Sequence, residues 1–370
     1  MLERLRKAAQ VLSRRAAPRD ALRYVAGAAF ALSFVGASCG QSALGILPGV
    51  LNDPGNLTLR QEILKFGTGS MCSEVLKRSV PVRTNDDDPA MGRFFPASCF
   101  AQQTPAGTML VQMSGTGYVW TNATKRLTFD ANASVEYSTD FLMDGSTLYA
   151  YFRTKATNQV TFNVKVVEAP ANASSLGLPV QIDAGSIVRQ MGPQLLKAEL
   201  SRGFTVIRDS DGTAAFGLGV VEKGQRPSAP YAPGSSGRLL LANERSEIHQ
   251  GQRDYTGPYE VTGDGQALWL TVSVDGAPGA DVIVVPASIG VAWRDTYINQ
   301  VATTPPPTPG RVDEPVMQGA IWRRAVPVPR GSYYVVLDNT TTAGRTSLPV
   351  SPTDDRAAAV SYAVELGGAP

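Results

Sequence analysis

Few side chains in this sequence are equipped for covalent or acid–base chemistry, and their spacing narrows the choice further. The one histidine, His249, lies in the alternating stretch SEIHQGQRDY. A Ser-His-Asp enzyme needs only one histidine. The Gly-x-Ser-x-Gly match, Gly36–Gly40, falls in an N-terminal apolar segment, where a nucleophile elbow has no sheet to stand on. The sequence has no His-Glu-x-x-His helix, phosphate loop or Cys-x-x-Cys pair. The expectation is therefore no catalytic residue, no metal ligand and no cofactor. Carboxylates that could serve as a glycosidase pair, about 5–10 Å apart, are Glu136, Asp140, Glu244, Glu247 and Asp254, and chain spacing does not show whether any two converge. The run Asn85-Asp86-Asp87-Asp88 offers oxygen ligands but no spaced calcium pattern. Asp209–Gly212 resembles the opening of a calcium loop without its closing Glu, so both stretches read as turns. A last candidate is physical: Tyr118, Trp120, Tyr149 and Tyr151 stand in alternating segments. They could form a platform on which sugar rings stack, or they could be core.

The N-terminus has a stronger pattern. Arg4, Arg6, Lys7, Arg14, Arg15, Arg19 and Arg23 precede YVAGAAFALSFVGASCG, an apolar run from Tyr24 to Gly40. A basic region, a short apolar region and small residues at the end make an export signal, and the run is too short for a span of roughly 20 residues. Gly36-Ala37-Ser38-Cys39 resembles the lipobox of bacterial lipoprotein precursors, departing from it at Gly36, where a branched apolar residue is usual. The resemblance implies acylation at Cys39, cleavage after residue 38, and anchoring in the bacterial cell envelope. Gly40 stands where an inner-membrane retention signal would carry Asp; by the same resemblance the outer membrane is implied, facing periplasm or surface.

With Cys39 lipidated, Cys72 and Cys99 remain. In an oxidising envelope they are expected to form a disulfide; in a reduced compartment they would be two buried thiols. Net charge is +2 over 370 residues, and removing the basic leader leaves a mildly acidic chain. That excludes the basic stripe a nucleic-acid partner demands. The expected partners are a membrane, through the lipid, and an envelope protein of unknown identity.

The elements that must position these residues are mainly strands. Hydrophobic residues make up 43% and charged residues 18%, with 36 Gly and 26 Pro, a composition of short strands and turns. The expected fold is mainly β: two antiparallel β-sandwich-like domains with a short helix in the first, preceded by a signal peptide (1–38) and a lipid-anchored tether (39–60). The first domain spans 61–223. It holds strongly alternating segments from Gly107 to Glu168, a hairpin turn at Asp144-Gly145, and a helix over 185–200. A Pro/Gly/Ser-rich linker follows at 224–237, then a second domain at 238–370 with eight strand-like segments: RLLLANE, SEIHQGQRDY, PYEVT, QALWLTVSVD, ADVIVVP, MQGAIWRRAVPV, SYYVVLDNT and AAAVSYAVEL. An insertion at 287–315 carries a short helical stretch, VAWRDTYINQVA. The segment VPVPRGSYYVVLDNT resembles strand entries of jelly-roll-like accessory domains in secreted bacterial proteins, which bind or stabilise and do not catalyse. Two functions follow as expectations: a non-catalytic envelope lipoprotein serving as a structural or protein-interaction module, or a glycan-binding or glycan-hydrolysing protein using the aromatic strand faces.

Overall fold

The computed structural model describes residues 52–56, 60–61, 64, 72–73, 75–85, 87–121, 124–168, 197–198, 200–210, 214–232, 237–345 and 356–370. The protein is mainly β. The first unit is one seven-stranded antiparallel meander, β1 (Val80–Val82), β2 (Gly92–Gln103), β3 (Met109–Thr121), β4 (Thr124–Asp144), β5 (Thr147–Val167), β6 (Phe204–Arg208) and β7 (Ala214–Leu218), each strand beside its chain neighbours. The Asp144-Gly145 turn forms as expected, with Gly145 in the left-handed region. β4 and β5 have 21 residues each, a ribbon about 70 Å long at 3.3 Å per residue. The signal segment, Cys39 and most of the tether lie outside the described residues, as does most of the helix expected over 185–200.

The second unit is a sandwich of β8 (Leu239–Ile248), β9 (Gln252–Val261), β10 (Gln266–Asp275), β11 (Gly279–Pro286), β12 (Val312–Met317), β13 (Ile321–Pro327), β14 (Gly331–Asn339) and β15 (Ala358–Gly368). Its sheets have the orders β13-β10-β15-β8 and β12-β11-β14-β9. That winding is the double Greek key of a jelly roll. One hydrophobic cluster draws on both sheets, through Leu268, Leu270 and Val272 of β10, Val282 and Val284 of β11, Val335 and Leu337 of β14, and Tyr362 of β15. Burying those faces together is the main favourable term available to an antiparallel sandwich.

Two features depart from the pattern expected in 238–370. SEIHQGQRDY is not one strand: the chain turns at His249–Gly251, with Gln252 N–H bonded to the His249 carbonyl (3.1 Å) and Gly251 at φ 81°. The flanking pieces instead extend β8 and β9. Strand β12, VDEPVM, was hidden inside the insertion because Pro315 and two carboxylates mask it; as the edge of its sheet it can tolerate a proline.

The helix α1 (Ala287–Asn299) forms within that insertion, starting directly after Pro286. Gly290, Trp293, Tyr297 and Ile298 make its buried stripe. Gly290 lets the helix lie on the Tyr334 ring: a Cβ there would come within 2.4 Å of a ring carbon. α1 covers the outer face of β11, β14 and β9, which explains why β11 is buried on both faces although its sheet is antiparallel.

Candidate functional site

Among the described residues, a dense cluster of buried charge lies where the meander meets the sandwich. The sandwich exposes two neighbouring edge strands, β8 and β9, and the first unit covers both. Ala90 N–H donates to the Arg245 carbonyl (2.7 Å) and its own carbonyl accepts from Glu247 N–H (2.9 Å). Ser79 N–H donates to the Gly257 carbonyl at 3.1 Å. Capping two edges in this way removes groups that would otherwise template pairing with another chain.

Three residues beyond Ala90, the side chain of Arg93 enters the junction, where it is 2% exposed. Its Nε lies 2.7 and 2.9 Å from the two carboxylate oxygens of Asp254, itself 1% exposed. Nη2 reaches Glu244 Oε2 at 3.2 Å and Ser246 Oγ at 3.3 Å and also contacts the Tyr362 hydroxyl. Asp254 accepts further from Tyr118 Oη (2.8 Å) and Ser246 Oγ (2.6 Å). Tyr118 Oη in turn accepts from Tyr255 N–H (2.7 Å), and Tyr362 Oη donates to Glu244 Oε2 (2.6 Å). Such dense satisfaction is what makes buried ions tolerable.

The electrostatics hold Arg93, Glu244 and Tyr118 in the states their bonds require. Burial works against the Arg93 charge, but Asp254, Tyr362 and Glu244 outweigh it and hold the guanidinium well above its ordinary pKa. Burial pushes Glu244 up, yet the charges of Arg93 and Arg83 pull it net below the usual carboxylate range. Burial and the Asp254 charge push the Tyr118 phenol well up, so it stays a donor. The network therefore acts as a closed lock, with its proton positions fixed by mutual charge.

Two further arginines are buried nearby: Arg253 braces the sandwich internally, and Arg126 crosses the joint. Arg253 pairs with Asp338 at 2.8 Å, both fully buried, and reaches the Thr304 carbonyl and the hydroxyls of Thr340 and Thr342 at 2.8–2.9 Å. Arg126 of β4 donates to the Tyr297 (3.1 Å) and Gln300 (3.0 Å) carbonyls, and Thr128 Oγ1 to that of Ile298 (2.7 Å). A guanidinium at these carbonyls satisfies and neutralises the negative end of α1, which no glycine caps. Beside it a cleft of about 320 Å³ opens between α1 and β2, bordered by Phe95, Thr116, Arg294, Asp295 and Asn299. The Arg294 side chain there is engaged by the Tyr334 hydroxyl and by Asp295.

The residues singled out from sequence fare unequally. Cys72 and Cys99 are joined in a disulfide, with Cα atoms 5.3 Å apart. Cys39 lies outside the described residues. The aromatic platform is corrected: Tyr118, Trp120, Tyr149 and Tyr151 are 0%, 3%, 3% and 6% exposed and offer no open face to a sugar. Tyr118 and Trp120 lie where β3 meets the α1–β9 region, Tyr118 touching Tyr255 and Tyr297 edge-on. Tyr149 and Tyr151 stack on each other, and the chain at Gly224–Gln225 closes over the Tyr149 hydroxyl.

Among the carboxylates, Glu244 and Asp254 do converge, but on one guanidinium. Glu136 serves Thr108 and Lys155, Asp140 pairs with Arg60, and Glu247 holds the His249 ring at 2.9 Å. Asn85 closes its turn on Asp88 at 2.7 Å. The residues that matter most, Arg93, Arg126 and Arg253, were missed in the sequence. A usable signal was present in Arg253-Asp254: adjacent opposite charges in a strand point to opposite faces, and each needs a partner if both faces are covered. Compared with protein-family models and with curated proteins, the chain matches none.

Proposed function

We propose that this chain is a non-catalytic lipoprotein of the bacterial cell envelope, anchored through Cys39 at the outer membrane, whose β-rich body serves as a structural or protein-interaction module. The observation that carries the reading is the Arg93–Asp254 lock. Buried charges among the described residues, Arg93 with Asp254 and Glu244, hold meander and sandwich as one body, which is the requirement of a scaffold that transmits position. The Cys72–Cys99 disulfide adds support, since such bonds persist in oxidising compartments. The envelope partner would meet a rigid surface rather than a hinged pair of domains.

The test is mass spectrometry of the mature N-terminus from native membranes, combined with co-purification after gentle solubilisation. An N-terminal acylated Cys39 and a protein recovered in stoichiometric amount would support the reading. An N-terminal peptide upstream of an unmodified Cys39 would overturn it.

A further inference from the structure

The two sheets of the sandwich end in four edge strands, β8, β9, β12 and β13. The first unit meets two of them. Ala90 forms a parallel bridge with Ser246 of β8, and Ser79 N–H donates to the Gly257 carbonyl of β9. The third edge, β12, is blunted by its own residues: Pro315 breaks its row of donors, and Asp313 and Glu314 charge it. The fourth, β13, has no proline before its last residue, Pro327. Its pairing with β10 decides which of its backbone groups are free. Val328 N–H bonds the Gln266 carbonyl (3.4 Å), the next rung beyond the Ala267–Pro327 pair. On the other side of β10, Ala369 N–H bonds the Gly265 carbonyl (2.8 Å), in the opposite phase. Bonded pairs alternate along an antiparallel ladder. β10 therefore takes the backbone groups of Trp322, Arg324 and Val326, and those of Ile321, Arg323 and Ala325 point away from the sheet. Among the described residues no strand pairs with that side of β13. Ile321 is 54% exposed, and Arg323 and Arg324 are exposed. Glu314 steadies the strand from below, accepting Trp322 Nε1 at 3.1 Å and pairing with Arg324 at 3.0 Å.

We propose that β13 is a docking edge that takes an extended acidic segment of a partner protein as an added strand. Main-chain bonds to Ile321, Arg323 and Ala325 would supply the affinity, and Arg323 and Arg324 would select the charge. A second copy of the same edge is a poor occupant, since antiparallel pairing about Arg323 sets arginine against arginine, and like charges directly opposite are destabilising. The arginines that discourage self-pairing thus leave the edge open to an unlike strand. The proposal rests on the protein-interaction part of the reading above and is independent of the lipid anchor.

The experiment uses the full chain in mild detergent and two blocked synthetic peptides of the length of β13, one alternating Glu and Val, the other Lys and Val. Amide hydrogen exchange over residues 320–327 is followed by mass spectrometry, and a titration gives the affinity. The Glu/Val peptide should slow exchange several-fold in this segment, and the Lys/Val peptide should not. Ala325→Pro removes an outward donor without taking a bond from β10, and should weaken the Glu/Val peptide several-fold. Arg323→Glu should do the same and shift the preference toward Lys/Val, a reversal that loss of folding would not produce. No slowing at millimolar Glu/Val peptide, equal slowing by both peptides, or an unchanged preference in Arg323→Glu would overturn the proposal. Such a failure in a chain acylated at Cys39 leaves the lipoprotein reading standing, and selective binding by a chain with unmodified Cys39 leaves the docking edge standing without the anchor.

Discussion

Arg93 Nε lies 2.7 Å from Asp254 Oδ1, and that contact ties β2 of the meander to β9 of the sandwich across 161 residues of chain. Both side chains are buried, so the pair is worth most when it is broken on one side. Arg93→Met should leave the Asp254 carboxyl without its cation in a buried site and destabilise the protein by roughly 3–5 kcal/mol. Chemical denaturation followed by tryptophan fluorescence would measure it. A loss below about 1 kcal/mol, the range of an exposed pair, would mean the junction is not a lock.

Acid should act on the same joint through Glu244. Its side chain retains 25% exposure, yet the Arg93 and Arg83 charges hold its pKa below the ordinary value against the pull of burial. A carboxylate with a lowered folded-state pKa adds stability that is complete above its unfolded value, about 4.3, and is lost as pH falls through the folded value. Stability from this group should therefore be flat from pH 5 to 8 and decline below about pH 4. Glu244→Gln should flatten the acid limb of a melting-temperature profile; an unchanged limb would remove Glu244 from the account.

Replacing both Cys72 and Cys99 with Ser removes a crosslink between residues 27 apart. Loop-closure entropy assigns that crosslink about 3–4 kcal/mol. The unfolding midpoint should drop by a corresponding amount, and the reduced wild type should match the double variant. A reduced protein as stable as the oxidised one would contradict this.

Gly290→Ala reverses a usual expectation. In an ordinary helix interior this change stabilises by roughly 0.8–1 kcal/mol. Here the added methyl meets the Tyr334 ring, and overpacking of this kind costs about 1–3 kcal/mol. Net destabilisation in thermal unfolding is the expected sign; a gain in stability would show that α1 does not bear on Tyr334.

Much of the architecture was readable from residue order. Alternation between Gly107 and Glu168 announced the long strands, and Asp144-Gly145 announced their turn, because both are local consequences of backbone geometry. VAWRDTYINQVA announced a helix, though not that it begins at Ala287. Periodicity failed at VDEPVM, where an edge strand needs no clean pattern. It failed also at SEIHQGQRDY, where a tight turn interrupts an apparently continuous alternation.

What the sequence determined by itself is a β-rich chain of short-range pattern, the location of its main turns, and a pair of cysteines available to join. Only the tertiary structure decided what the aromatic and charged residues are for. Tyr118 and Tyr149 look the same along the chain whether they face water or core, because burial depends on what arrives from distant segments. Arg93 acquires its meaning only when Asp254 and Glu244 are brought to it. Local propensity carries no information about a contact whose partners are 161 and 151 residues away, and the energy of a buried charge is set by those partners alone.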